Sequence, residues 1–298
     1  MPTHGCRGCD SGDVLRVVDL GPQPAADYFP PMSAPGDDPR WPLELWFCRA
    51  CTLVQLGPVE PRLPEPALAV ESATSLAHAE TSVRDLVRDY PELSGATVVE
   101  FHSHHGGSWR QHLLGAGCRT VTKDERAHLV VDVHGLAHEP AIGRPLAERV
   151  ERLAPGGLLV LEFHHLLPLL VDSQFDTVRH GHWSYLSLGA LSRLAAPLGF
   201  AVASVRQVPL FGGCLQVMPA PRTPTMAQTW PTRRSRRFLT TKRQPEWPTR
   251  TDSPVCTTVR TGPGRPCTTT SSTRRIGAKP CSGTGRRRRH PSCSTSAG

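Results

Sequence analysis

The stretch "IGRPLAERVERLAPGGLLVLEF" (Ile142–Phe163) decides the fold: it reads as a helix, a Pro-Gly-Gly turn and a strand. The pattern repeats on both sides. Downstream, "SLGALSRLAAPLGFAVASVRQV" is a helix running into a strand, followed by "PLFGGCLQVM". Upstream, "AHLVVDVHGLAHE" is a strand with a turn, and "ATVVEFHSHHGGSW" is a buried strand entering a glycine-containing turn. Before it, "AHAETSVRDLVRDYPEL" spaces Val83, Leu86, Val87 and Tyr90 as a helix closed by Pro91. Alternating helices and strands predict an α/β fold with a Rossmann-like, doubly wound sheet. Ligands of such sheets sit at the C-terminal ends of the strands. That rule places "EFHSHHGG" and "EFHHLLP" at the mouth of the site.

The N-terminus follows a different logic. "CRGC" (Cys6, Cys9) and "CRAC" (Cys48, Cys51) each put two thiols on one tight turn, and two such knuckles make a tetrahedral four-sulfur zinc site. A closed site of this kind leaves no position for substrate, so its role is structural. A metal-free or redox pair is the alternative. The short strands in "LRVVDLG", "WPLELWF" and "TLVQLG" are expected to form a small core around it. The expected organisation is a zinc-binding β domain over 1–66, an α/β domain over 67–218 and a tail over 219–298.

Bulk composition hides a division. Of 34 lysines and arginines, 17 lie beyond residue 218, against only 2 of the 26 acids, Glu246 and Asp252. The body is therefore acidic and the tail basic. The tail is rich in Thr, Arg, Pro and Ser and lacks aliphatic periodicity, which predicts disorder. Its Arg286–Arg289 run is the one feature that suits nucleic acid, a partner the acidic body does not suggest. The genetic code offers a third reading. "CSGTG" (Cys281–Gly285) and "PSCST" (Pro291–Thr295), read two nucleotides later, can give Leu-Gly-Tyr-Gly and Val-Leu-Leu-Asn. We read the tail as out-of-frame translation beginning between Val217 and Thr225. No leader sequence is visible at the start, and the most apolar stretch, broken by Glu162 and Pro168, is too polar for a membrane span. A cytoplasmic location without membrane attachment is expected.

"DTVRHGHWSYLS" (Asp176–Ser187) places His180 and His182 one residue apart. Acid–base centre, metal clip and packed core are all open for it. The histidines His102, His104, His105, His134, His138, His164 and His165 crowd the predicted strand ends. A second metal site using His102 and His104 is one reading, and a polar-lined cleft the other.

The order of CxxC, "DLGPQP", "PLELWFCRACTLVQL", a strand ending in Glu, "LAHEP", "LAPGGLLVLEFHHLLPLL", "QFDTVRHGHWSYLSL" and "GG" resembles the sugar C-methyltransferase family, over about residues 3–218. Those enzymes methylate C3 of nucleotide-linked 4-keto-deoxysugars in antibiotic pathways. The resemblance implies zinc on Cys6, Cys9, Cys48 and Cys51, S-adenosylmethionine (SAM) as cofactor and a nucleotide-sugar substrate. It implies cofactor binding by Glu100, Ser103 and Gly106, and catalysis by His182 as base with His180 beside it. A base removes the C3 proton and the enolate attacks the SAM methyl group. The family's C-terminal domain carries motifs like those of the shifted frame.

Several positions depart from the family. Arg179 and Gly181 stand where it has Tyr and Glu, His102 stands for a glycine of the cofactor loop, and "FGGCLQ" replaces His-Gly-Gly-Ser-Leu-Arg. The strand after the Gly106 turn, which would end in the ribose-binding acid, reads as deleted. The alternative is therefore a homologue that lost SAM, acting as a binding or scaffold protein or as an isomerase or dehydratase using the histidine pair.

Overall fold

The computed structural model describes residues 5–221 apart from 27, 30–31, 34–37, 59–70, 104–105 and 123–124. They belong to one unit, Met1–Lys242. In order they form β1 (Val14–Pro24), β2 (Arg40–Cys48), β3 (Val54–Leu56), α1 (Ala73–Asp89), β4 (Thr97–His102), α2 (Arg110–Gly115), β5 (Arg119–Thr120), β6 (Ala127–Val133), α3 (Gly143–Glu151), β7 (Leu153–His164), α4 (Leu166–Val171), β8 (Ser184–Tyr185), α5 (Leu188–Ala195), β9 (Phe200–Val208) and β10 (Cys214–Pro221). Ser72 and Ser187 start α1 and α5 by accepting from the Ser75 and Ala190 N–H groups, each 3.1 Å away.

The larger sheet has the order β5-β4-β6-β7-β10-β9. β5, β4, β6 and β7 are parallel, while β10 runs antiparallel to both β7 and β9. The chain leaves β4 first to one side and then to the other, so the crevice between the ends of β4 and β6 is the switch point where such sheets bind ligands. The expected doubly wound architecture is present.

Side-chain alternation explains why both faces are covered. Val130, Leu159, Leu161, Phe163, Leu215 and Val217 enter a core with Leu146 of α3 and Leu191 and Leu194 of α5. Leu129, Val131, Leu158, Val160 and Met218 face the other way, onto Ala79, Val83 and Leu86 of α1 and Leu113 of α2. Each fully buried aliphatic side chain contributes roughly 1.5–3 kcal/mol, so neither face survives uncovered.

Four expectations change. The Pro-Gly-Gly turn is absorbed into β7 as a bulge: Ala127 pairs with Leu153 but Leu129 pairs with Leu158. Gly157 allows this, since a Cβ there would lie 3.0 Å from two carbonyl oxygens, those of Ala154 and His128. The strand read as deleted exists, shortened to Arg119–Thr120 and paired with Thr97 and Val98. Pro219–Pro221, read as the start of the tail, belong to β10 and pair with β9. Residues 222–298, and with them the frameshift and basic-run readings, lie outside the described residues.

The fourth change concerns the cysteine domain. Its strands form an antiparallel sheet, β1-β2-β3, but the order continues to β8, which comes from the histidine stretch. No private core forms among the described residues. Cys6, Cys48, Cys51 and Leu53 join the α3/α5 side of the large sheet. On the other side, Trp41, Leu43, Leu45 and Leu56 pack with Leu166, Leu169, Val178, Trp183 and Tyr185. Arg7, inside the first knuckle, ties the parts together. Its guanidinium donates to the carbonyls of Leu56, Gly57 and Pro140 and lies 4.6 Å from the Trp183 ring centre. The Arg7 carbonyl accepts from the Ile142 N–H at 2.9 Å.

Among the described residues no helix is long and apolar enough to cross a membrane.

The contact between the first knuckle and α3 can be tested directly. A Cβ on Gly143 would lie 2.6 Å from the Gly8 carbonyl oxygen, whereas one on Gly115 would meet nothing within 4 Å. Chemical denaturation should show Gly143→Ala destabilised by about 1–3 kcal/mol. Gly115→Ala should be neutral or stabilised by up to about 1 kcal/mol.

Candidate active site and metal centre

The two knuckles have the same local fold. Each chain reverses so that the residue after the second cysteine donates to the carbonyl of the first: Asp10 to Cys6 at 3.0 Å and Thr52 to Cys48 at 2.9 Å. Both Asp10 and Thr52 are left-handed, with φ of 58° and 64°. For a β-branched threonine that conformation is costly, and the surrounding contacts must hold it. The turns bring four sulfurs within 4.8 Å of one another. Cys6 and Cys51 Sγ are 3.4 Å apart, and Cys9 and Cys48 Sγ 3.7 Å. Zn–S bonds of about 2.3 Å in a tetrahedron require S–S separations of this order. Bonding to Cys51 lowers the Cys6 thiol to about 5 against the opposing effect of burial, while the same contact pushes the Cys51 thiol up. The residues fit a structural zinc ion. It is the only such cluster among the described residues. Of the second metal site read from the sequence, His102 ends β4 exposed, while His104, like His105, lies outside the described residues.

The glycine turn follows β4. Gly106 and Gly107 have φ of +86° and +85°, and Ser103, 4% exposed, donates its N–H to the Val133 carbonyl. Glu100 points into this turn and spends both oxygens there. One accepts from Ser108 Oγ at 2.7 Å, the other from the Trp109 N–H. Glu100 therefore braces the loop and the start of α2.

Sequence reading missed the most elaborate polar cluster. By the alternation of β7, Glu162 shares the face of Leu158 and Val160 that turns towards α1, and its side chain is fully buried. His78 of α1 reaches the carboxylate, with Nε2 2.9 Å from both oxygens. Gln216 of β10, on the same face, donates to Glu162 at 2.7 Å and to Ser82 of α1 at 2.8 Å. His134 follows β6 in a left-handed conformation (φ 59°). Its Nε2 lies 3.2 Å from Glu162, and its ring stands edge-on to Phe211. Burial alone would push the Glu162 carboxyl up. The imidazoles of His134, 3.2 Å away, and of His78, hydrogen-bonded to both oxygens, outweigh it and hold the group at about 2. The signal in the sequence was an acid closing an otherwise apolar strand, "LLVLEF". His78 gave no signal of its own, because it sits among ordinary helix-forming residues.

The histidine stretch lies over the ends of β6 and β7: Trp183 donates its N–H to the Ala137 carbonyl and Leu166 donates to Leu186, both at 2.8 Å. The structure does not bring His180 and His182 together. His180 is buried, with Nε2 on the Pro42 carbonyl at 3.2 Å and its ring edge-on to Trp41. His182 turns the other way. Its Nδ1–H donates to the Thr177 carbonyl at 2.9 Å, its Nε2 accepts from Arg179 at 2.9 Å, and its ring meets His138 at 4.9 Å. Burial pushes the Tyr185 phenol up, so it stays a donor, to the Thr177 carbonyl. Of the other histidines, His165 is lowered to about 4 by burial. It lines a cleft of about 480 Å³ with Asp172, Gln207 and Cys214.

A four-cysteine sheet built onto a doubly wound α/β domain defines a zinc-knuckle α/β protein. Residues 6–62 match the family described as "Putative zinc binding domain". The chain is 30% identical over 261 residues to the C-methyltransferase NovU of Streptomyces niveus, covering 74% of this chain and 61% of that protein. The chain thus carries that zinc-binding domain and, over 261 residues, is similar to a C-methyltransferase. It spans only 61% of that relative's length. Among solved structures, the mitomycin 7-O-methyltransferase MmcR has a TM-score of 0.39 at 15% identity, over 50% of this chain and 54% of its own. A methyltransferase from Mesorhizobium loti has a TM-score of 0.36 at 14% identity, over 47% and 97%. The fold assignment rests on the strand order, not on these scores.

Elemental analysis should find one zinc per chain. Cys48→Ser should lose it, together with a large part of the roughly 10 kcal/mol that structural zinc contributes. Glu162→Gln should destabilise the protein by about 3 kcal/mol at neutral pH. Because the folded carboxyl is depressed, its contribution is present above about pH 4.5 and is lost as pH falls towards 2. Denaturation of both proteins across that window should show the difference shrinking.

Proposed function

We propose that the protein is a SAM-dependent C-methyltransferase acting on a nucleotide-linked keto-deoxysugar in natural-product biosynthesis. One observation supports this above others: the His182 loop is bonded to residues that follow β6 and β7, and the glycine turn follows β4, at the same end of these parallel strands. The candidate proton acceptor and the candidate cofactor loop thus share one edge of the sheet.

The turn fits the cofactor. Gly106 and Gly107 adopt backbone that side chains rarely allow, which lets a ligand approach the main chain closely. Ser103 and Gly106 would hold it, with Glu100 bracing the loop. SAM, when bound, supplies an electrophilic methyl group. The chain's own task is to remove the proton beside the substrate ketone. Thr177 fixes the Nδ1–H tautomer of His182, which leaves Nε2 as the accepting nitrogen. Arg179 covers that nitrogen, and its guanidinium suits a substrate diphosphate. Drawing Arg179 onto phosphate releases the base. His180 positions the loop from below.

The Arg179–His182 contact also favours a second reading: a homologue that binds the nucleotide sugar but leaves the base capped and does not methylate.

Proton exchange at C3 of a nucleotide-linked 4-keto-deoxysugar in D2O, followed by NMR, separates them. The methyltransferase reading expects exchange that His182→Asn slows by about 100-fold or more. Binding of the sugar without exchange would favour the second reading.

A further inference from the structure

The carboxylate that family resemblance assigns to the cofactor is Glu100, yet both its oxygens are taken by Ser108 and the Trp109 N–H. A second carboxylate lies at the same turn. Glu71 precedes Ser72, the cap of α1, and its side chain lies across Gly106. A Cβ on Gly106 would be 2.8 Å from Glu71 Cγ, 2.9 Å from Cδ and 3.1 Å from Oε1. Only glycine lets that side chain lie there. Among the described residues, Glu71 Oε2 is buried and has no hydrogen-bond partner. A buried carboxylate oxygen without a donor is costly, so the site is arranged for a donor that arrives with a ligand.

We propose that Glu71, rather than Glu100, receives the α-ammonium group of the cofactor. The inference rests on the SAM reading above. SAM carries two cationic centres, but the sulfonium has no N–H or O–H to donate. Of the donors of SAM, the ammonium alone pairs its N–H groups with a positive charge to meet Oε2, whereas the ribose hydroxyls and the adenine amine are neutral. Glu71 therefore acts on the amino-acid end of the ligand and is indifferent to whether the methyl group is present.

Isothermal titration tests this with three probes on the full chain: SAM, S-adenosylhomocysteine and 5′-methylthioadenosine, which lacks the amino-acid end. Glu71→Gln and Glu71→Ala, each checked for native melting, should bind the first two about 10- to 100-fold more weakly. Both losses should be equal, and methylthioadenosine should bind as it does to the native chain. Unchanged binding of SAM by folded variants would overturn the proposal, as would a loss confined to SAM, which would point to the sulfonium. If the native chain bound neither SAM nor S-adenosylhomocysteine, the cofactor reading itself would fail, a result the variants cannot mimic.

Discussion

The first cysteine knuckle sits directly on the start of α3. Gly8 fits among Leu53, Ile142 and Leu194, and the Arg7 carbonyl accepts from the Ile142 N–H. The rest of the structure depends on this seating. A small antiparallel sheet buries little apolar surface by itself and relies on a metal or a neighbour. Here it gains a cysteine cluster on one side and the large sheet's core on the other. Because Cys6, Cys48 and Cys51 share a core with Leu159, Leu191 and Val217, metal binding and packing of the α/β domain stabilise each other.

The same docking builds the candidate site. β3 pairs with β8, so the histidine stretch is pulled onto the cysteine sheet. His180 is fixed by Pro42 and Trp41 of β2, and His182, two residues on, is directed to the opposite side. A buried carboxylate organises the other face. Glu162 joins α1, β6, β7 and β10 through His78, His134 and Gln216. Removing any one of these partners leaves charge less well compensated in the interior, which costs more than a surface contact would gain.

Much of this was legible in the chain. The knuckle spacing announced the metal centre because tight CxxC turns admit few geometries. The helix–turn–strand rhythm around Ile142–Phe163 announced a doubly wound sheet. The Pro-Gly-Gly bulge was not legible, because a strand that re-registers on its neighbour uses the same residues as a turn. Nor was the two-residue β5, whose identity comes from pairing with Thr97 and Val98 rather than from its own composition.

The sequence alone determined most of the elements that form and which four cysteines meet. These are local properties: periodicity, turn chemistry and ligand spacing. Only the tertiary structure decided which polar groups are satisfied. Two histidines close in the chain part company, Glu100 is consumed by its own loop, and Glu162 gains two histidines from distant elements. Partnership across 84 residues, as between His78 and Glu162, depends on sheet parity and helix placement, which no short stretch encodes.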